Sequence, residues 1–394
     1  MDNKFKLAQG VLDYLPNECY KKSQIENKIL NTFIDFGYDR IDTPILERYE
    51  LFDSGVGKVD LKKLFKVTDI DGDLLILRPD MTMPISRIVS TKLPKDTYKL
   101  CYLGKSFSML ENGGKLREFT QVGVEVMGAK GVGVDTEVVA LAIKSLLDAG
   151  LQNFQIELGH IGYFKGLLDS LELSLQDKEE LTELVEKKDS IGEGLFAKRL
   201  GLDSQITSII LKLPMFFGGI EVLDEAEIYC KNDEMKEAIS NLRKLYEGLK
   251  QLGYDKYISF DLSIVGNMKY YSALVMKGIT KSVGRPILAG GRYDNLCDSF
   301  GSNTKAVGFA ISIGYLLEAL DAQGQLIKKP EVEIVIGFDN NCIDKALSLF
   351  EEYKTKKVVV KMSFATTIDQ LKKCKEAAKA NKAIYVSNDK IEEV

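Results

Sequence analysis

The sequence predicts an α+β fold in which helices flank a largely antiparallel sheet, with a small α/β module at the C-terminal end. Three observations carry that expectation. An Asp71-Gly72 dipeptide separates two strand-like runs, residues 64–70 and 73–77, and such a pair supplies the positive φ angles of a tight hairpin. Between about 163 and 253 apolar residues recur at helical steps, for example Met235, Ile239, Leu242, Leu245, Tyr246 and Leu249, so this stretch is expected to be an inserted helical subdomain. After a polar stretch at 321–330, strands at 331–338, 357–362 and 382–386 alternate with helices at 343–353 and 367–380. That order needs crossovers and therefore a parallel sheet.

The remaining elements follow in chain order. Residues 17–36 carry a helical stripe of Ile25, Ile29, Phe33 and Ile34, with Asn17 as cap and Gly37 as stop. Strands are expected at 98–103, 119–127, 155–157, 272–276 and 286–289, and helices at 135–149 and 307–320. Asp135 is placed to cap the first of those helices. The resulting division is a core of 1–325, holding the insertion at about 163–253, and a module of 330–394.

Composition narrows the function classes. With 394 residues, 45% hydrophobic and 28% charged, the chain suits a soluble globular protein of two or three domains. No run of eighteen apolar residues occurs and the first residues lack the apolar stretch of a signal peptide, so a cytoplasmic location is expected. The six cysteines (19, 101, 230, 297, 342 and 374) form no CxxC pair, and the single histidine, His160, rules out a multi-histidine metal site within one chain. His160 ends an apolar run, where a structural role is expected. A net charge of −5 provides no global field for a polyanion, which makes nucleic acid an unfavoured partner.

Glycine-rich pieces do not fit phosphate-binding templates. Gly55-Val56-Gly57-Lys58 lacks the spacing and hydroxyl of a P-loop, and GAKGVGVD at 128–135 lacks the dinucleotide fingerprint, so both read as turns. More informative are LRPDMT (77–82), EFTQVGVE (118–125), NMKYYS (267–272) and AGGRYD (289–294), which place charged, amide and aromatic groups in strand-like sequence. Gln121, Gly123 and Glu125 alternate onto one strand face and leave the glycine as a gap over which a ligand can lie. Two readings stand at this point: a floor for an ammonium group, and a satisfied buried hydrogen-bond network.

In order and spacing these segments resemble the histidyl-tRNA synthetase family, a class II synthetase fold built on an antiparallel sheet. The resemblance covers most of the first 320 residues. GVLDYLP (10–16) and FGYDRIDTPILE (36–47) look like the family's opening segment and its dimer-forming first motif. LRPDMT stands where synthetases carry Arg-Pro-Glu-Gly-Thr, FTQVGVE closes the second motif, NMKYYS replaces the histidine-specific segment, and AGGRYDNL with VGFAISIGYL resembles the third motif. The resemblance implies a histidine pocket at Asp80, Thr82, Gln121, Glu125, Tyr270, Tyr271 and Tyr293.

The departures concern adenylation. The motif-two Phe-Arg-x-Glu is here Phe107-Ser108-Met109-Leu110, the motif-three arginine is replaced around Ile313-Gly314-Tyr315, and the histidine-specific arginine aligns with Gly266. Losing even one preorganised donor at a reacting phosphate typically costs about a hundredfold. A synthetase core with these losses is similar to the regulatory subunits of ATP phosphoribosyltransferase. That similarity implies no catalytic residue, cofactor or metal in this chain, assembly with a short catalytic subunit, a homodimeric core, and L-histidine as effector in the first step of histidine biosynthesis. The alternatives are an unusual histidyl-tRNA synthetase or other amino-acid-activating enzyme, and a module that senses uncharged tRNA. The C-terminal module resembles a cut-down anticodon-binding domain, which speaks against tRNA.

Overall fold

The computed structural model describes residues 5–53, 61–109, 117–265 and 270–394. The chain divides into two compact units, Met1–Leu326 and Ile327–Val394. Helix α1 (Pro16–Asp35) starts with proline, whose preset φ and missing N–H suit a first helical position. The carboxylate of Glu18 accepts the Leu15 amide at 3.0 Å, so the cap is Leu15 and Asn17 lies inside the helix. The helix closes on Gly37, with φ of 79°: its amide reaches the Ile34 carbonyl and the Tyr38 amide reaches that of Phe33, a Schellman closure.

Strands β1 (Asp39–Arg40) and β2 (Leu46–Arg48) precede the short helix α2 (Glu50–Asp53), followed by β3 (Lys66–Thr68) and β4 (Leu74–Leu77). Strands β2, β4 and β3 form a small antiparallel sheet in that order. The β3–β4 connection is longer than the expected two-residue turn. The Asp69 carboxylate accepts the amides of Asp71 at 3.0 Å and Asp73 at 2.9 Å, and of the dipeptide only Gly72 has a positive φ. A side chain that mimics a backbone turn thus replaces the tight hairpin.

Helix α3 (Thr82–Thr91) leads into β5 (Tyr98–Phe107), β6 (Glu118–Met127), α4 (Val132–Ala149) and β7 (Gln155–His160). Helix α4 is capped by Gly131, φ 94°, while Asp135 lies within it. Next come α5 (Ile161–Asp169), α6 (Leu175–Glu186), α7 (Ser190–Leu200), α8 (Ser204–Lys212), β8 (Phe217–Gly218), α9 (Glu221–Ile228) and α10 (Asp233–Gln251). Within this helical stretch, α10 packs on α5, on α4 and on β7, so its two ends belong to the layer that covers the sheet. The unit finishes with β9 (Ile258–Asp261), β10 (Leu274–Thr280), β11 (Val283–Arg292), β12 (Ala306–Ser312) and α11 (Ile313–Ala322).

These strands make a nine-stranded sheet in the order β1-β5-β6-β12-β11-β10-β7-β9-β8. The pairs β1/β5 and β7/β9 are parallel and the others antiparallel. The helix expected over 307–320 is corrected here: Ala306–Ser312 is a central strand and the helix begins only at Ile313. Flanked by β6 and β11, the strand is apolar at nearly every position, and such a run carries no period that separates strand from buried helix. Helices α1 and α4 pack against each other and against β5, β6 and β12, with Phe33 edge-on to Phe309 at 5.8 Å.

The second unit runs β13 (Ile334–Phe338), α12 (Ile343–Thr355), β14 (Val360–Met362), α13 (Ile368–Ala378), β15 (Lys382–Val386) and β16 (Ile391–Glu393). The order is β14-β13-β15-β16, the first three parallel and β16 antiparallel to β15. Ile336, Ile384 and Val386 pack with Ala346 of α12, whereas Val335, Ala383 and Tyr385 pack with Leu371 of α13. Both faces are therefore covered, as parallel strands require.

Candidate ligand-binding site

Strand register builds the site. Across β6 and β12, Gln121 faces Ser312, Gly123 faces Ala310 and Glu125 faces Gly308, and across β12 and β11 Ala310 faces Ala289 and Gly308 faces Gly291. Because side chains alternate, these residues share one sheet face, and their small size leaves a hollow there. The resulting cleft has a volume of about 1350 Å³. Its lining includes all seven residues of the expected pocket: Asp80, Thr82, Gln121, Glu125, Tyr270, Tyr271 and Tyr293.

At the bottom lies Glu125, 2% exposed. One carboxyl oxygen is 2.8 Å from the Thr82 hydroxyl and the other accepts the Tyr293 hydroxyl. Burial pushes this carboxyl up to about 8, with the Asp80 charge adding to the rise and the two hydroxyl contacts opposing it. Asp80 sits at the start of α3, where its Oδ1 accepts the Met83 amide at 2.9 Å. Burial raises its pKa too, while the amides of Met83 and Thr82 pull it back.

Three tyrosines wall the pocket. The Tyr270 ring stands edge-on to Tyr271 at 5.0 Å and lies 5.6 Å from Tyr293. Burial raises all three phenols well beyond the neutral range, so they act as neutral donors and acceptors. Gln121 is joined to β5 by the Ser106 hydroxyl, which donates to its side-chain oxygen at 3.0 Å.

The gap expected over Gly123 is filled by protein. A Cβ there would lie 2.5 Å from the Tyr102 hydroxyl and run into the Phe309 carbonyl, so the glycine admits a tyrosine from the facing position of β5. Tyr102 is a buried residue beneath the pocket that sequence reasoning missed, since a tyrosine in an apolar strand gives no polar signal. The arginines of LRPDMT and AGGRYD are structural. Arg78 Nε donates to the Lys105 carbonyl at 2.9 Å and its Nη1 to the Thr43 carbonyl and hydroxyl, which ties the turn bearing Asp80 to two other segments. Arg292 grips Asp135 through Nε at 3.0 Å and Nη2 at 2.6 Å and reaches Asp294 at 3.1 Å, which anchors the neighbouring Tyr293.

His160 stands away from this chemistry. Its Nδ1 accepts the Gly162 amide at 3.1 Å as the cap of α5, and burial lowers its pKa to about 4. Ser108, Tyr315 and Arg285 also line the cleft, and Arg285 Nη1 donates to the Tyr315 hydroxyl at 3.0 Å. Leu110, Gly266, the 267–269 part of NMKYYS and the Gly55–Lys58 piece lie outside the described residues. Among the described residues no three His, Cys, Asp or Glu side chains are grouped to hold a metal, and no helix is long and apolar enough to cross a membrane.

The histidyl-tRNA synthetase family model matches residues 10–316, which together with the fold places the chain in the class of histidyl-tRNA synthetase-like proteins. Its relatives in sequence are narrower. The ATP phosphoribosyltransferase regulatory subunit of Acetivibrio thermocellus is 36% identical over 362 residues, covering 91% of this chain and 87% of the relative. That of Ruminiclostridium cellulolyticum is 34% identical over 394 residues, covering 98% and 94%. A crystal structure described as an ATP phosphoribosyltransferase regulatory subunit/histidyl-tRNA synthetase from Bacillus halodurans superposes with a TM-score of 0.88 at 31% identity, covering 98% of this chain and all of that one. The chain belongs to the ATP phosphoribosyltransferase regulatory subunit family.

Proposed function

We propose that this chain is the non-catalytic regulatory subunit of a cytoplasmic ATP phosphoribosyltransferase, with a synthetase-like pocket that serves as a histidine sensor. It dimerises through its core, binds a short catalytic subunit and makes that subunit active in the first step of histidine biosynthesis. Histidine held by Asp80, Thr82, Gln121, Glu125, Tyr270, Tyr271 and Tyr293 shifts the assembly toward an inactive arrangement. A coupling of this kind is worth about 1–3 kcal/mol and is reciprocal, so the partner's state alters histidine affinity in turn.

One observation carries the reading. The cleft retains the buried Glu125 carboxyl, the half-buried Asp80 carboxyl and tyrosine hydroxyls suited to a small amino acid, while Ser108 and Tyr315 line it where the resemblance calls for guanidinium groups. Those losses remove the donors that stabilise an adenylation transition state, and the catalysis belongs to the partner. Histidine-dependent exchange of labelled pyrophosphate into ATP separates this reading from an activating enzyme. No exchange, together with activation of a short-form phosphoribosyltransferase, is the expected result. Exchange above the level of a no-protein control contradicts the regulatory reading.

A further inference from the structure

Helix α7 turns an acid inward and aliphatic side chains outward. Its inner face buries Phe196 and Ala197 but also Glu193, which is fully covered and whose two carboxyl oxygens have no hydrogen-bond partner. Its outer face presents Ile191 and Leu195, 80% and 65% exposed. A surface helix gains stability from the reverse arrangement, and local rules are broken in this way chiefly where a surface has a function.

The exposed pair is part of a larger surface. Ile191, Gly194 and Leu195 share one face of α7, and a Cβ on Gly194 would lie 3.9 Å from Leu211 Cδ2 of α8. Leu211 in turn lines a groove of about 540 Å³ with Leu202, Met215 and the small residues Ser204, Thr207 and Ser208. Met215 is itself 67% exposed. A groove of aliphatic and small hydroxyl residues beside an exposed aliphatic pair suits one face of an amphipathic helix. None of these residues lines the cleft that holds Glu125.

Charge selects the occupant. From the start of α6 to the end of α9, residues 175–228, 12 Asp and Glu stand against six Lys and Arg, whereas the whole chain has a net charge of −5. The negative surplus is therefore concentrated in this stretch. Beside the groove Lys212 is held by Glu225 and Arg199 by Glu180, each at 2.7 Å, which leaves Lys198 as the base on the outer face of α7. Against it stand Asp189 and Asp203, the caps of α7 and α8, whose carboxylates accept the Gly192 and Ile206 amides at 2.9 Å. A second copy would bring the same surplus of acid to the contact, and nucleic acid or an anionic membrane is repelled for the same reason. A basic protein segment is drawn to it.

We infer that the α7–α8 surface formed by Ile191, Leu195, Leu202, Leu211 and Met215 is the seat of the catalytic partner, which covers it with an amphipathic helix whose apolar face is flanked by Lys or Arg. The inference rests on the regulatory reading above, which provides the partner, and adds where that partner docks.

Calorimetry of the full chain with a short-form phosphoribosyltransferase tests it. Leu195→Glu and Met215→Glu, both at exposed positions, are each expected to weaken binding by about tenfold or more, the loss typical of an apolar anchor at an interface. Phe364→Glu, 97% exposed in the second unit, leaves the affinity unchanged. Replacing Asp189→Asn together with Asp203→Asn keeps both helix caps, since asparagine caps as well as aspartate, and is expected to slow association at low salt. A wild-type chain that does not bind the partner overturns the regulatory reading itself. Wild-type binding that persists undiminished in both Glu variants overturns the docking seat alone, and an association rate indifferent to the paired Asn changes overturns the basic character of the occupant. Sedimentation of the chain by itself checks the rival occupant: a dimer that Leu195→Glu splits assigns the surface to a second copy and contradicts the inference. Should the Glu variants fail to fold, Leu195→Gln, for which a loss of affinity is likewise expected, decides the matter.

Discussion

Gly308 shows how a single backbone position sets the pocket. It admits the Glu125 carboxyl because it has no Cβ, and a methyl group there would meet both that carboxyl and the Val124 carbonyl. Gly308→Ala is therefore expected to cost about 1–3 kcal/mol by overpacking and to abolish histidine binding. Gly284→Ala, whose Cβ meets nothing within 4 Å, leaves the urea midpoint unchanged and serves as the comparison. Glu125 itself gives a pH signature. Its folded pKa, about 8, lies above the ordinary glutamate value of 4.5, so the folded state binds the proton more tightly and loses stability as pH rises from about 4.5 to about 8. Urea unfolding of the wild type and of Glu125→Gln should show the difference in favour of the wild type shrinking with pH across that window. A difference that stays constant contradicts the shift. Gln121 and Glu125 were legible because a carboxylate and an amide alternate within an apolar strand. Tyr102 was not, since its role depends on lying opposite Gly123, a pairing that only the β5/β6 register defines.

At the scale of elements, sequence patterns served where one side of an element faces water. The stripe of α1 and the amphipathic period of α10 are of this kind, and both helices form where the pattern places them. The pattern failed for β12, buried between β6 and β11, whose residues carry no alternation to read. It also missed β16, three residues of which two are glutamates, since such a strand is defined by its pairing with β15 alone. Asp135 illustrates a third limit. Its place near the start of α4 suggested a cap, yet its carboxylate is spent on Arg292 at 2.6 Å, which links α4 to the end of β11. Breaking a buried pair by removing one partner typically costs about 3–5 kcal/mol, so Asp135→Ala is expected to lower stability by that amount in urea titration. Because Arg292 precedes Tyr293, the same variant should also weaken histidine binding. Normal affinity in a folded Asp135→Ala protein contradicts the anchoring role.

For the whole molecule, the family match over residues 10–316 and the sheet order describe one scaffold, a histidyl-tRNA synthetase-like core. That class was legible because its motifs survive in order. The proposed sensor role was less so, since it depends on hydroxyls and carboxyls meeting across four segments far apart in sequence. The central claim is that this chain supplies activity to a partner and makes it responsive to histidine. The most direct measurement is the ATP phosphoribosyltransferase rate of a short-form catalytic subunit, alone and with this chain, over a histidine titration. Expected are little activity alone, activation on adding the chain, and inhibition by histidine that Glu125→Gln weakens by about two- to tenfold, in keeping with about 0.5–1.5 kcal/mol for a hydrogen bond between neutral groups. A catalytic rate indifferent to the chain contradicts it.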